Sequence, residues 1–297
     1  FKRKGYRGLP PYKLLQTYYK LSPEQLDFYK ENGYLVIKQL VDFSSLYAYK
    51  QRFLQISKGI VPKGYITIMK EPSLVGKKEN PEDYVNKIQE ILYDDVFIEY
   101  AQNPAMLDIL TQIIGEDITA IHSMFINKPP GTGRHPSHQD LYYFPYRPAD
   151  KIVAAWTAVD HVNLDNGCLY VVPKSHKAEV LYEHDANKLY HGIVIEDEVA
   201  PESKRVYMEM APGDTVFFHP YLIHGSGPNV SKNYRKALTF HFCNSNCYTI
   251  DVSNTVQHNA AKEIEAEAKR RGIDITFNVS MEIWKYKSRT IVGKAHL

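Results

Sequence analysis

From about residue 118 to about residue 250, short apolar runs alternate with clusters of turn-forming residues, and no other feature of the sequence constrains the fold as strongly. The runs are Ile118 to Asn127, Ile152 to Val159, Cys168 to Val172, Thr215 to Phe218 and Ala237 to Phe242. Several short strands at this spacing are typical of a sandwich or barrel. We therefore predict a mainly β core over this region.

Helices are predicted on either side of the β core. Ser22 is a suitable N-cap, Pro23 suits the first helical position and Gln25 completes a capping box. This first helix ends at Gly33. The further elements are a strand at Tyr34 to Leu40, helices at Phe43 to Ile56 and from Asn103-Pro104 to Gly115, and an amphipathic helix at His258 to Arg271 that stops at Gly272. Residues 1–297 are predicted to form one domain, a β-barrel with helices packed outside it.

Charge and cysteine content narrow the partners and the compartment. With 36 basic and 34 acidic side chains the net charge is +2, so neither nucleic acid nor a membrane surface is expected as the main partner. The sequence has no run of about 18 or more apolar residues, and no membrane-spanning helix is predicted. An odd, sparse set of cysteines indicates a reducing compartment rather than a disulfide framework. The three are Cys168, Cys243 and Cys247.

The two ends of the sequence carry weak targeting signals. The chain starts at Phe1 with a basic segment that no apolar stretch follows, which is compatible with the removal of a leader upstream. It ends in Ala295-His296-Leu297, which loosely resembles the small-basic-leucine address for peroxisomes. An arbitrary tail is an equal alternative. The peroxisome is therefore the predicted location, with the cytoplasm as the other possibility.

A His-x-Asp pair marks a candidate metal site. On an extended backbone, residues two apart project from the same face, so His138 and Asp140 point at one ion while Gln139 points away. A third ligand must come from elsewhere, and His224 follows an apolar run and precedes Gly225. Two histidines and one carboxylate on one face of an octahedron leave three open positions, the arrangement of non-haem Fe(II) oxygenases.

Arg235 strengthens the metal hypothesis because it follows His224 by eleven residues. An iron site of this type needs an electron donor, and 2-oxoglutarate chelates the metal while its far carboxylate needs a fixed cation. The planar fork of arginine matches a carboxylate with two charge-assisted hydrogen bonds. A turn followed by a strand from Arg235 would return the chain beside His224. The alternative is that Arg235 is a solvated turn charge.

Other residues have two interpretations at this stage. His135, His219 and His241 compete as ligands, although His135, three residues before His138, should face the opposite side of a strand. Aromatic residues after Asp140 could line a substrate channel or form an aromatic core; they are Tyr142, Tyr143, Phe144 and Tyr146. Basic residues could bind coenzyme A phosphates or form a solvated rim; they are Lys128, Arg147, Lys174 and Lys177.

An ordered set of motifs resembles the phytanoyl-CoA 2-hydroxylase (phytanoyl-CoA dioxygenase) family over nearly the whole chain. The motifs are Leu21 to Gln39, Asn127-Lys128-Pro129-Pro130, His135 to Pro145, Ala155-Trp156-Thr157-Ala158, Asn166-Gly167-Cys168-Leu169, Pro173-Lys174-Ser175-His176-Lys177, Gly213 to Gly227, Arg235-Lys236-Ala237 and Trp284. The sequence departs from the family pattern at Tyr143 and in a short loop, Pro130 to Arg134. Both lie beside the His138-x-Asp140 motif. The departures therefore concern the preference for the acyl chain and do not change the metal ligands.

The resemblance implies a fold, a reaction and a set of cofactors. The fold would be a double-stranded β-helix, a cupin-like jelly roll with flanking α-helices. The reaction would be 2-hydroxylation of a 3-methyl-branched fatty acyl-CoA in peroxisomal α-oxidation, with Fe(II), 2-oxoglutarate, O2 and ascorbate as reductant. Expected partners are the branched-chain acyl-CoA, a lipid carrier protein and the peroxisomal import receptor.

The resemblance also implies site residues. His138, Asp140 and His224 would bind iron at the catalytic centre. Cosubstrate contacts would come from Lys87, Met124, Trp156, Ser226 and Arg235. For Lys87 an exposed helix lysine is an equal alternative. Two other functions stay open, a same-fold hydroxylase of a small free metabolite and a non-catalytic cupin-like binding protein. A halogenase is disfavoured because Asp140 occupies the position that such enzymes leave open for halide.

Overall fold

A computed structural model describes residues 18–183, 199–270, 284 and 287–293. The helices are α1 (Pro23–Asn32), α2 (Phe43–Ser57), α3 (Ile98–Ala101), α4 (Pro104–Ile114) and α5 (His258–Arg270). The strands are β1 (Tyr34–Ile37), β2 (Thr67–Lys70), β3 (Val85–Gln89), β4 (Ile118–Lys128), β5 (His135–His138), β6 (Tyr146–Arg147), β7 (Ile152–Ala158), β8 (Leu169–Val171), β9 (Val206–Met208), β10 (Thr215–Phe218), β11 (His224–Ser226), β12 (Arg235–Asn244), β13 (Tyr248–Thr249) and β14 (Arg289–Val292).

The first helix forms as its capping residues predict. The Ser22 side chain accepts a hydrogen bond from the Gln25 backbone N–H at 3.2 Å, and the Gln25 side chain accepts one from Ser22 at 2.9 Å. Gly33 ends the helix with φ 80°, a left-handed conformation that glycine adopts without strain. The chain then enters β1, which stops at Ile37 rather than Leu40 because Gln39 takes a positive φ of 51°.

The strands form two antiparallel sheets and a short β6–β13 pair. The larger sheet has the order β1-β10-β7-β12-β4-β3-β2, with β14 also paired to β4. The smaller sheet has the order β5-β11-β8-β9. Strands β2 and β3 were not predicted, and with β1 they extend the larger sheet to residues before 118. Strand β12 begins at Arg235 and is longer than the predicted run that starts at Ala237.

The two faces of the larger sheet pack against different partners. Leu238, Phe240 and Phe242 of β12 share a buried cluster with the helices, in which Phe53 of α2 stacks on Phe125 of β4 at 4.7 Å. Each such large apolar side chain stabilises the fold by about 1.5–3 kcal/mol when fully buried. On the opposite face, larger-sheet residues cluster with residues of the smaller sheet; they include Trp156, Val216, Ala237, Leu169 and Val171. This arrangement confirms the predicted mainly β core with helices outside it.

Three further sequence predictions can be compared with the described residues. Cys168, Cys243 and Cys247 are buried and free, so these three do not form a disulfide framework. Helix α5 is described to Arg270, while Gly272 lies outside the described residues. In the described part of the chain, no helix has both the length and the apolar character needed to cross a lipid bilayer.

Candidate metal centre and co-acid pocket

Two adjacent strands of the smaller sheet bring the predicted ligands together. His138 of β5 and His224 of β11 are direct partners in the antiparallel register, and their ring centroids are 4.1 Å apart. Asp140 follows β5 by two residues, and its Oδ1 lies 3.5 Å from Nε2 of each histidine. One ligand atom from each of the three side chains falls within 4.8 Å of the others. The three side chains predicted to bind metal therefore converge on one point.

Backbone carbonyls orient both imidazoles. Nδ1 of His138 hydrogen-bonds to the Pro136 carbonyl at 2.9 Å, and Nδ1 of His224 hydrogen-bonds to the Leu222 carbonyl at 2.9 Å. Only the Nδ1–H tautomer can donate to a carbonyl, so Nε2 of each ring keeps its lone pair. Both lone pairs lie on the side of Asp140. A metal ligand held by its other ring nitrogen in this way is typical of protein metal sites.

The protonation states also suit a divalent cation. Burial, reinforced by His138, lowers the pKa of His224 to about 4, so this imidazole is neutral near pH 7. Burial alone would raise the pKa of Asp140, but His224, His241 and hydrogen bonds to the carboxylate outweigh it and hold that pKa well below its usual value. Metal binding requires deprotonated ligands. Two imidazoles and one carboxylate with open positions beside them fit Fe(II).

The three competing histidines lie outside the ligand group. His219 accepts a hydrogen bond from the Tyr221 backbone N–H, and its ring faces His176 at 5.2 Å. His241 contacts Asp140 through Nε2 at 2.8 Å and does not join the group of converging ligand atoms.

The prediction that His135 faces away from His138 is wrong. Ser226 pairs with His135 while His224 pairs with His138, so two residues of β5 oppose one of β11 between these pairs. Residues three apart on a regular strand face opposite sides. The extra residue of the bulge turns His135 back to the side of His138. The His135 and His138 rings consequently lie 4.6 Å apart.

Gly225 is required at the metal centre because its backbone is closely packed. A Cβ at this position would lie 2.4 Å from the Tyr170 hydroxyl and 2.8 Å from the His135 carbonyl. The absence of a side chain at Gly225 therefore lets β11 lie between β5 and β8.

Arg235 lies in a buried pocket beside the metal centre. Its side chain is 2% exposed, so the alternative of a solvated turn charge is wrong. Nη2 lies 3.4 Å from the Ser226 hydroxyl, Nε donates to the Gly167 carbonyl at 3.2 Å, and Cζ is 5.6 Å from the centre of the Trp156 ring. Burial lowers the pKa of Arg235 to about 10, which leaves it charged near pH 7.

Lys128 is a second basic group in this pocket. It is paired with Arg235 in the β4–β12 register and is only 4% exposed, so it does not belong to a solvated rim. Its ammonium donates to the Ser226 hydroxyl at 3.0 Å and to the Gly227 carbonyl. Burial, reinforced by Arg235, lowers its pKa well below the usual value. Sequence reasoning missed this role because only the sheet register places Lys128 beside Arg235.

Lys87 and Met124 occupy the inner face of the larger sheet. Met124 pairs with Thr239, which pairs with Trp156, and directly paired residues lie on the same side of a sheet. Lys87 lies on strand β3 and pairs with Ile126, so the alternative of an exposed helix lysine is wrong. Burial lowers the pKa of Lys87. Both residues therefore face the space between the sheets.

The remaining candidates divide between core and surface. Tyr142, Phe144 and Tyr146 are buried in aromatic clusters, with Phe144 5.1 Å from the ring centre of Trp284. The aromatic-core interpretation therefore holds for these three. Lys174 and Lys177 form ion pairs with Glu31 on the surface. Arg147 donates to the side chain of Gln257 at 2.7 Å.

Comparison with known proteins links this geometry to one family. Residues 29–237 match the family model described as phytanoyl-CoA dioxygenase (PhyH). The chain is 42% identical to the peroxisomal phytanoyl-CoA dioxygenase of Mus musculus over 287 residues, which cover 92% of this chain and 83% of the mouse protein. It is 41% identical to a probable phytanoyl-CoA dioxygenase of Caenorhabditis elegans over 297 residues, which cover 92% of this chain and 94% of the worm protein.

A solved structure shares the fold at low sequence identity. EvdO2 from Micromonospora carbonacea var. aurantiaca, complexed with 2-oxoglutarate, superimposes with a TM-score of 0.61 at 17% identity. The match covers 78% of this chain and 94% of EvdO2. At this identity the likeness concerns the fold alone, and it agrees with the predicted jelly-roll core.

Proposed function

The chain belongs to the phytanoyl-CoA dioxygenase family, and from that membership we propose that it 2-hydroxylates a 3-methyl-branched fatty acyl-CoA. It is an Fe(II)- and 2-oxoglutarate-dependent dioxygenase, and we take residues 1–297 as one catalytic domain. One observation carries this proposal: the convergence of His138, Asp140 and His224 beside a buried arginine.

The three converging side chains would hold Fe(II) through Nε2 of His138, Nε2 of His224 and Oδ1 of Asp140. When bound, the metal supplies the redox chemistry by which dioxygen and 2-oxoglutarate yield succinate, carbon dioxide and the hydroxylated substrate. The protein contributes orientation, because the Pro136 and Leu222 carbonyls fix both imidazoles before any ligand arrives.

Arg235 would bind the far carboxylate of 2-oxoglutarate. A buried guanidinium is stable only when it is paired and hydrogen-bonded. In the described chain Arg235 has the Gly167 carbonyl and the Ser226 hydroxyl as hydrogen-bond partners, while Asp160 acts on it only by longer-range attraction. A carboxylate at its fork would supply the missing charge with two parallel hydrogen bonds.

The other cosubstrate contacts surround this anchor. The Ser226 hydroxyl already lies between Lys128 and Arg235 and would add a hydrogen bond to the same carboxylate. Trp156 would cover the cosubstrate and exclude water from it, since its ring lies against the guanidinium. Met124 and Lys87 would line the opposite wall from β4 and β3.

The names of the relatives support a proposal for the cellular setting. We propose a peroxisomal location and a role in α-oxidation, with ascorbate as reductant, a lipid carrier protein presenting the acyl-CoA and the peroxisomal import receptor as partner. The support is the mouse relative, which is a peroxisomal protein by name. The tripeptide Ala295 to Leu297 and the segment from Phe1 to residue 17 lie outside the described residues.

Product analysis with a substrate panel tests the proposal. The purified chain is incubated with Fe(II), 2-oxoglutarate and ascorbate, and with phytanoyl-CoA, phytanic acid or small free acids; succinate and hydroxylated products are measured by mass spectrometry. We expect succinate release coupled to a 2-hydroxyacyl-CoA. Hydroxylation of a free acid alone would support the small-metabolite alternative. Absence of succinate with every substrate, while Fe(II) and 2-oxoglutarate bind, would support a binding protein.

A further inference from the structure

Asp140 uses its two carboxylate oxygens differently. Oδ1 lies 3.5 Å from Nε2 of both His138 and His224 and faces the point where the ligand atoms converge. Oδ2 lies 2.8 Å from Nε2 of His241, a residue of the larger sheet. The carboxylate therefore bridges the two sheets, and each oxygen has a separate partner.

The surroundings of His241 fix the direction of this hydrogen bond. The side chain is 3% exposed, and its ring packs against Phe144 at 5.0 Å and His122 at 5.6 Å between centroids. Nδ1 has no hydrogen-bond partner among the described residues. A proton on Nδ1 would be a buried, unsatisfied donor and would leave two lone pairs facing each other at Asp140. Nε2 thus carries a proton, and His241 donates to Oδ2.

We propose that His241 is a positioning residue that holds Oδ2 of Asp140 by a hydrogen bond, so that only Oδ1 is offered to the metal. The proposal rests on the proposed function of this site. Three open positions are needed, two for a chelating keto acid and one for dioxygen. A carboxylate free to bind through both oxygens would take one of them. His241 would therefore preserve the coordination number that the reaction requires.

The position of His241 on strand β12 has a second consequence. His241 and Arg235 both lie on β12, six residues apart, with their side chains on the inner face. Residues separated by an even number along a strand share a face, and a strand paired on both sides is rigid. β12 pairs with both β4 and β7. Strand β12 thus fixes the distance between His241, which holds the Asp140 carboxylate, and Arg235, which would bind 2-oxoglutarate.

A purely structural role for His241 predicts a different response to substitution. The variants are therefore chosen to separate packing from hydrogen bonding. His241→Met keeps an apolar group against Phe144 and His122 and removes the donor. His241→Gln retains an N–H near the position of Nε2. His122→Met, a change in the same aromatic cluster, serves as the packing control. Loss of a group that orients a metal ligand typically lowers metal affinity by about 10–100-fold.

The experiment measures binding rather than turnover. The metal-free protein of residues 1–297 is titrated with Fe(II) under argon by calorimetry, and the loaded protein is then titrated with 2-oxoglutarate. We expect His241→Met to weaken Fe(II) binding by about 10–100-fold, His241→Gln to restore most of it, and His122→Met to leave it unchanged. Thermal unfolding of each metal-free variant confirms that it is folded.

The outcomes separate this inference from the proposed function. If His241→Met binds Fe(II) like the wild type while Asp140→Ala does not, the positioning role is wrong and the metal centre stands. If His241→Gln and His241→Met weaken binding equally, the ring acts by packing, which also overturns the proposal. If Asp140→Ala itself binds Fe(II) normally, the proposed metal centre fails and the proposal fails with it.

Discussion

The two ends of the site lack opposite charges. The metal end, at Asp140, lacks a cation, and the co-acid end, at Arg235, lacks the carboxylate of an acid such as 2-oxoglutarate. At the metal end, Asp140 is buried among imidazoles, and in the described chain no lysine or arginine pairs with it. At the co-acid end, Arg235 and Lys128 are buried without an ion pair to any described carboxylate. Only one residue of β11, Gly225, lies between His224 at the metal end and Ser226 at the co-acid end. One end therefore suits a cation and the other an anion, side by side.

Because of this difference, the fold keeps a buried charge without an ion-pair partner at each end, and a ligand can supply that partner. Taking an unpaired charge out of water costs several kcal/mol, and that cost is offset only when a partner arrives. A ligand that binds only the native state at a hundredfold over its dissociation constant stabilises it by about 2.7 kcal/mol. Each end should accordingly respond to its own ligand. The predictions that follow test whether the two ends can be disabled separately.

Removal of the negative charge at the metal end should have the largest effect. Asp140→Ala takes away the shared partner of both imidazoles, and we expect succinate release to be abolished and Fe(II) affinity to fall by more than about 100-fold. Calorimetry and a succinate assay without acyl-CoA measure the two quantities. Undiminished turnover in this variant would remove the metal assignment.

A change of geometry at the co-acid end should have the next largest effect. Arg235→Lys replaces a fork by a point charge, and the loss of a charge-assisted hydrogen bond is worth about 1.5–3 kcal/mol. We expect the KM for 2-oxoglutarate to rise by about 10-fold or more while Fe(II) affinity is retained. Arg289→Lys, at an arginine that contacts the Leu92 carbonyl, is the control. An unchanged KM would exclude Arg235 as the anchor.

Lys128→Met should have a smaller effect of the same kind. Lys128 shares the Ser226 hydroxyl with Arg235, so its loss should raise the KM for 2-oxoglutarate by a few fold, equivalent to about 1 kcal/mol. Because the substitution removes an unpaired buried basic group, the ligand-free protein should not be destabilised. Urea unfolding and steady-state kinetics measure both, with Lys177→Met, at a surface lysine that pairs with Glu31, as the control. A large loss of stability with an unchanged KM would make Lys128 a structural residue.

The pH dependence of stability tests the protonation state of His224 without any ligand present. His224 and His219 have folded pKa values of about 4 and about 3, below the ordinary value of 6.5, so the unfolded chain binds more protons between these values. The free energy of unfolding of the metal-free protein should therefore fall as pH drops from 6.5 towards 4. Urea titrations across this range measure it. The free energy of unfolding of His224→Gln should fall less steeply as the pH drops. A slope equal to that of the wild type would contradict a buried neutral His224.

Local chemistry in the sequence was sufficient for the ligands. His138 and Asp140 share a side because of strand geometry, and the run before His224 with Gly225 after it marked the third ligand. The chain turn that returns Arg235 to His224 was also predictable from spacing. These relations depend on residues close in sequence or on a single turn, where backbone rules are strong.

Relations set by sheet register were not predictable. The bulge opposite Gly225 reversed the expected side of His135, and Pro136 within β5 indicates an edge strand or a bulge without fixing the register. Lys87 lies on a strand in which only Val85 and Ile88 are apolar and their spacing of three does not alternate, so a helix was an equal alternative. The contacts of Lys128 with Ser226 and of His241 with Asp140 join residues 98 and 101 positions apart. Only the assembled sheets bring them together.

A crystal structure of the chain soaked anaerobically with Fe(II) and 2-oxoglutarate tests the central claim most directly. We expect one metal ion bound by His138, Asp140 and His224, with the co-acid extending from that ion to the guanidinium of Arg235. A co-acid bound elsewhere, or a metal that leaves any of these three side chains unused, would contradict the assignment of one end to a cation and the other to an anion.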